Sequence, residues 1–206
     1  MDFSVGNPVL VKNTTYYWHN PSWEFSLPAG ATCPFAKECK VTVGEHCGKF
    51  LNDSQSFRCY AASAERFPAV RNSRWRNYRA VLAGIMPDLS EATHIRIHMA
   101  GDFFSQDYFD RWLSVCWSHQ ATMFWAFTKS LPFWVARLDN IPPNLNLTAS
   151  RGGTHDFMIE RHGLKCATVY PCAEDVPTGV PVDTNDFYAA NGVQSFALID
   201  NNCKTP

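Results

Sequence analysis

The sequence predicts an α/β fold: a mostly parallel sheet forming a partial (βα)6 barrel, with a long cysteine-bearing loop after the first strand. Three observations predict it. Short apolar or alternating runs recur between runs with helical spacing, the signature of β-α-β units. The segment 28–60 is irregular and punctuated by Pro, Gly and Cys, too long for a mere connection. The 206 residues, 46% hydrophobic and 18% charged, suffice for one packed α/β domain over 1–206.

The elements follow in order. PSWEFSL (21–27) reads as a first strand closed by Pro28-Ala29-Gly30. After the cysteine loop, YAASAERF (60–67) reads as a helix stopped by Pro68, and SRWRNYRAVLAGI (73–85) as a second helix before Pro87. THIRIHMA (93–100) is a strand; Ser105 to Ser118 is an amphipathic helix with Tyr108, Trp112 and Val115 on one face. ATMFWAF (121–127) is a strand and LPFWVARL (131–138) a short helix. NLNLTA (144–149) is a strand and THDFMIERHG (154–163) a helix ended by Gly163. CATVY (166–170) and SFALI (195–199) complete six strands.

A net charge of −1 without a run of Lys or Arg excludes a nonspecific nucleic-acid coat, which needs clustered positive charge. The N-terminus lacks the basic start and apolar run of a secretory signal, and no stretch approaches the roughly 18 to 20 apolar residues of a membrane span. The expectation is a soluble cytoplasmic protein with no membrane contact, whose sequons at Asn13, Asn52 and Asn146 are incidental. In a reducing compartment, clustered cysteines among the eight present are more often ligands than disulfides.

Parallel α/β folds carry their chemistry at the carboxyl ends of the strands. Those ends read, in order, the cysteine loop, Ala100-Gly101-Asp102, Thr128-Lys129-Ser130 and Ser150-Arg151-Gly152-Gly153, a site region over 98–153. Taken singly, Asp102 and Ser150 are equally readable as helix caps and the glycines as turns; together, beside a cysteine loop, they point to a site. Lys129 and Arg151 are either anion-binding groups or exposed cations. His98, near Asp102, is a hydrogen-bonded core residue or an acid–base group. Asp183 and Asp186, in a Pro/Gly-bounded loop, read as solvated turn residues.

The loop itself reads Cys33-x5-Cys39-x7-Cys47-x11-Cys59. Structural zinc sites favour close pairs such as C-x2-C, and none is present. Iron–sulfur clusters are larger and accept looser spacing, so a cluster is expected over zinc. Cys116 on its apolar helix and Cys166 in its strand read as small buried hydrophobes.

These stretches, Phe25-Ser26-Leu27-Pro28-Ala29-Gly30 with Thr32-Cys33-Pro34, Phe57 to Ser63, His98 to Ser105, Phe127 to Ser130 and Ser150 to Gly153, resemble the bacteriophage gene product 88 family. The resemblance runs from about residue 22 to 200 and implies a phage or prophage origin, hence a host-cell cytoplasm. Its pattern carries onto Cys33, Cys39 and Cys59; Cys47 stands where a non-cysteine is expected, leaving three ligands with Cys47 as a potential fourth. The ending Asn201-Asn202-Cys203 departs from the family, so Cys203 has no assigned role.

The order of a three-cysteine loop, a helical stretch and a second strand ending in Gly-Asp is also similar to the radical S-adenosylmethionine enzymes. There, three thiolates leave one iron of a [4Fe-4S] cluster open to the cofactor. That similarity implies Gly101 and Asp102 at the cofactor amine, Ser150 and Arg151 at its ribose or carboxylate, and His98 and Lys129 facing substrate. The spacing is far wider than the C-x3-C-x2-C of those enzymes, so the similarity lies in order and topology. The leading expectation is thus an iron–sulfur enzyme acting on a nucleic acid, nucleotide or small substrate. Alternatives are a barrel enzyme that modifies or exchanges a DNA base, with structural zinc and Asp102 as nucleophile or base, and a non-enzymatic metal-stapled binding protein that inhibits a host defence or regulates replication.

Overall fold

A computed structural model describes residues 6–51 and 59–200. Its sheet takes the strands in sequence order: β1 (Val11–Asn13), β2 (Ser22–Ser26), β3 (His94–Ala100), β4 (Met123–Thr128), β5 (Leu145–Ser150), β6 (Cys166–Tyr170) and β7 (Phe196–Ile199). Only β1 runs antiparallel; the other six are mutually parallel. Parallel strands added in order by right-handed crossovers place their connecting helices on one face. That face carries α2 (Pro68–Leu82), α3 (Gln106–Ser118), α4 (Leu131–Val135) and α5 (Phe157–His162). Their side chains Val81, Trp112, Leu131 and Ile159 join Ile95, Ile97, Phe124, Leu145 and Leu147 in the main core.

Local sequence explains the helices. Ser105 caps α3, its Oγ accepting from Tyr108 N at 3.2 Å, and Tyr108, Phe109, Trp112, Leu113 and Cys116 bury one face at helical spacing. Cys116 and Cys166 are both buried, as their apolar settings predict. Pro68 does not stop a helix but starts α2, where a first-turn residue needs no N–H. The preceding α1 (Tyr60–Ala64) is correspondingly short.

The other face is also covered, which the sequence did not reveal. There Trp125, Ala167 and Phe196 pack with Tyr17 and with Ala189 and Ala190 of α6 (Phe187–Asn191). Phe127 of β4 and Phe196 of β7 have ring centroids 6.0 Å apart. In a flat sheet three strand spacings would separate them by about 14 Å, so the sheet rolls toward this face. It does not close. β1 and β7 remain its edges, so the mostly parallel α/β sheet expected from sequence is an open, singly wound one that does not close into a barrel.

Asp183 and Asp186 correct a second expectation, because both are buried rather than solvated. Asp183 accepts backbone N–H groups from Phe187 and Ala189, capping α6. Asp186 accepts from Trp125 Nε1 and pairs with Arg96 Nη1, both at 2.9 Å. These partners come from strands far upstream, and their pull on a loop carboxylate leaves no local trace. Among the described residues no helix is long and apolar enough to cross a membrane.

Candidate functional site

The β2 and β3 ends hold the start of the cysteine loop. Leu27 N donates to Ala100 O at 2.8 Å, and Thr32 folds back through both its N and Oγ1 to Pro28 O. Gly101 has φ +81°, and a Cβ there would stand 2.5 Å from Thr32 Oγ1 and 2.7 Å from Leu27 Cβ. Only glycine lets the turn close on the strand. The loop then crosses to β5, where Lys37 N and Glu38 N both donate to Gly152 O at 3.2 Å and Thr154 N donates to Phe35 O at 2.9 Å. A short hairpin follows, with Val43 bridging Phe50. Cys59 then serves as N-cap of α1.

This path brings Cys33, Cys39 and Cys59 into one neighbourhood. Burial pushes the Cys33 thiol up, with the Asp102, Cys59 and Cys39 charges adding to it against a Gly30 hydrogen bond. Burial also raises Cys39, with Lys129 opposing and Cys59 and Asp102 reinforcing. All three residues are half-buried. Cys47 is exposed on the hairpin, its Sγ turned toward Gly44.

Asp102 is buried and fully engaged. Its Oδ1 accepts from Phe103 N at 2.7 Å and from Thr128 Oγ1 at 2.6 Å; Oδ2 accepts from Lys129 N at 2.8 Å. It latches the β3 end to the β4 end and is no helix cap, since Ser105 fills that place. Burial pushes its pKa up to about 6 despite these bonds. Lys129 Nζ donates to Ser150 Oγ at 2.6 Å and Arg151 O at 2.8 Å, so a cation bridges the β4 and β5 ends beside Cys39. Ser150 is the acceptor in that bridge rather than a cap.

Two expected site residues turn elsewhere. Arg151 pairs with Glu160 of α5, a hydrogen bond that raises the guanidinium and lowers the carboxyl. His98 adopts φ +64° at a bulge, where the β2 pairing jumps from Ile97 to Ala100. The bulge turns its ring inward against Phe25, Phe103 and Tyr108, with Nε2 2.9 Å from Tyr108 Oη. Burial pushes its pKa down to about 3, so it is a neutral core histidine, the other reading the sequence offered.

Sequence reasoning missed Arg96, Tyr60 and Glu65. Arg96 carried a signal, as a cation between two isoleucines of a buried strand. It lies on the second sheet face over Phe127, 5.0 Å from the ring centroid, with Nη2 3.5 Å from Tyr60 Oη. Tyr60 follows Cys59 directly and donates to Met99 O at 3.1 Å.

A single tetrahedral ion needs sulfurs about 4 Å apart. Among the described residues no three Cys, His, Asp or Glu side chains are grouped to hold one ion.

Fold and site define a singly wound, mostly parallel α/β protein with a thiol-lined strand-end site. Comparison with family models places the chain more closely: residues 3–202 match Gene product 88, and the chain belongs to that family of bacteriophage gene products. No curated protein and no solved structure matches it.

Proposed function

We propose that this phage protein is an iron–sulfur enzyme in which Cys33, Cys39 and Cys59 hold a [4Fe-4S] cluster above the ends of β2 and β3. The observation that carries this reading is the mutual proximity of three thiols from two chain segments, beside Asp102 and Lys129. Three thiolates leave one iron without a protein ligand, and a bound cluster there supplies one-electron chemistry. We extend the reading to a radical S-adenosylmethionine type of reaction by analogy of order alone: a cysteine loop after the first of six parallel strands and Gly101-Asp102 after the second. The substrate class is a nucleic acid, nucleotide or small molecule.

The chain's own groups divide the work in an order different from the sequence expectation. Asp102 spends its oxygens on backbone and Thr128, so it positions the β3 and β4 ends. Lys129 retains a third donor beyond its two bonds and can meet a carboxylate or phosphate. Ser150 Oγ, held by Lys129, is free to donate to a ribose or carboxylate oxygen.

Anaerobic reconstitution of single variants tests the assignment. C33S, C39S and C59S should each lose most bound iron and sulfide, whereas C47S and C116S should load like the parent. Equal loss in C47S would sink the three-ligand assignment. Colourless protein with one tightly held zinc would replace the cluster by a structural ion. Titration calorimetry of the loaded parent with S-adenosylmethionine should give binding that loaded-negative C33S lacks; no heat with the loaded parent removes that co-substrate.

A further inference from the structure

One buried charge cluster lies beneath the cysteine loop and outside the groups used above. Glu65 is fully buried just past α1. Its Oε1 accepts from Ala29 N at 2.7 Å and from Arg74 Nη1 at 2.9 Å. The same Arg74 nitrogen donates to Ala61 O at 2.7 Å. Arg71, one turn earlier on α2, donates from Nη1 to Glu65 O at 2.8 Å and from Nε to Glu45 O at 2.7 Å. A Cβ on Gly48 would stand 2.5 Å from Arg71 Nη1, so this glycine makes room for the guanidinium.

The partners of this cluster form a pattern. Ala29 belongs to the turn that leads to Cys33, whose own N donates to Gly30 O at 3.2 Å. Ala61 lies in the first turn of α1, behind its N-cap Cys59. Glu45 belongs to the hairpin between them. One carboxylate and two guanidiniums therefore tie together the turn before Cys33, the hairpin and the start of α1. Glu65 Oε2 has no hydrogen-bond partner, a costly arrangement for a buried carboxylate. Buried ion pairs are weak contributors to stability beside apolar replacements, so net stability is a poor reason for this one. Its geometry supplies another.

We infer that Glu65, held by Arg74, is a positioning residue that fixes the Cys33 turn against the Cys59 end of α1 and so sets the separation of those two thiols. The inference rests on the reading of these cysteines as joint ligands, but its test needs no metal. The Ala29 N–H is the direct link, and a hydrogen bond to a charged acceptor in a dry site holds it. Without that acceptor the turn is free to move while the helix layer stays packed.

The test uses full-length metal-free protein in which Cys39, Cys47, Cys172 and Cys203 are replaced by Ser, leaving Cys33 and Cys59 beside the buried Cys116 and Cys166. Dibromobimane becomes fluorescent when it bridges two thiols, so its rate reads their separation. Two double variants both remove the buried charges and differ only in the acceptor: E65Q/R74M keeps an oxygen for Ala29 N–H, and E65L/R74M does not. E65Q/R74M should bridge within about twofold of the parent, and E65L/R74M about tenfold more slowly with a retained melting transition, as leaving the buried Ala29 N–H without an acceptor implies. Equal bridging rates in the two folded variants overturn the inference. Should E65L/R74M not fold, E65M/R74M, with a more adaptable side chain, makes the same comparison. Failure of the protein to take up iron would remove the cluster reading and leave this result standing.

Discussion

Asp102 gives the sharpest quantitative test of the strand-end geometry. Two forces oppose each other at this carboxyl: burial disfavours its charge, and three hydrogen bonds favour it. Burial wins, and the pKa rises from an ordinary 3.8 to about 6. A carboxyl that titrates higher in the folded chain than in the unfolded one holds its proton where the unfolded chain has lost it. Stability is therefore greatest below the unfolded value and falls as pH rises through the folded one. The gap amounts to about 3 kcal/mol, with roughly half of it lost by pH 5. The perturbation is D102N, which cannot titrate; its amide facing Lys129 N–H adds a cost that does not vary with pH. Urea denaturation of metal-free wild type and D102N between pH 4 and 8 gives the difference between the two directly. That difference should move against the wild type by about 2 kcal/mol across the range, the rest of the gap lying below pH 4. A flat difference, or one moving in favour of the wild type, would mean the hydrogen bonds outweigh burial and refute the reasoning.

The remaining predictions concern residues that hold the frame. D186A strands the buried Arg96 without its partner and should cost about 3–5 kcal/mol by chemical denaturation; a loss under about 1 kcal/mol would deny the pair that role. G101A forces a Cβ against Thr32 and Leu27 at φ +81° and should cost about 2 kcal/mol or more, read as a lowered melting temperature together with weaker iron loading. His98 titrates in the opposite sense to Asp102: its folded pKa of about 3 lies below the ordinary 6.5, so stability is lost as pH falls through that window. H98N, which tolerates φ +64°, should recover about 2 kcal/mol relative to wild type between pH 8 and pH 5, and no recovery would contradict a buried neutral imidazole.

The frame of six parallel strands was legible because each strand writes its own pattern; CATVY became β6 at the residues expected. So did the amphipathic α3, with Ser105 before it. What stayed hidden was set by distant partners. α6 is five residues long, too short for a period, and it forms because Asp183 and Asp186 are drawn into the second face by backbone, Trp125 and Arg96. β1 is three partly exposed residues at an edge, shaped by pairing with β2. In the site, residue type singled out Asp102 and Lys129, but their orientations depended on cross-strand partners. Asp102 Oδ1 and Thr128 are joined across two strands, and the His98 ring is turned by a bulge that only the β2 register reveals. Glu65 was readable as a helix residue, and nothing near it announced Ala29 as its partner.

The central claim is that Cys33, Cys39 and Cys59 act together as ligands of one polynuclear centre. Iron and acid-labile sulfide analysis of anaerobically prepared protein, with its visible absorption spectrum, tests it most directly. The account predicts about four iron and about four sulfide per chain and a thiolate-to-iron charge-transfer band. Iron-free, colourless protein after reconstitution, with all three thiols still reactive, would contradict it.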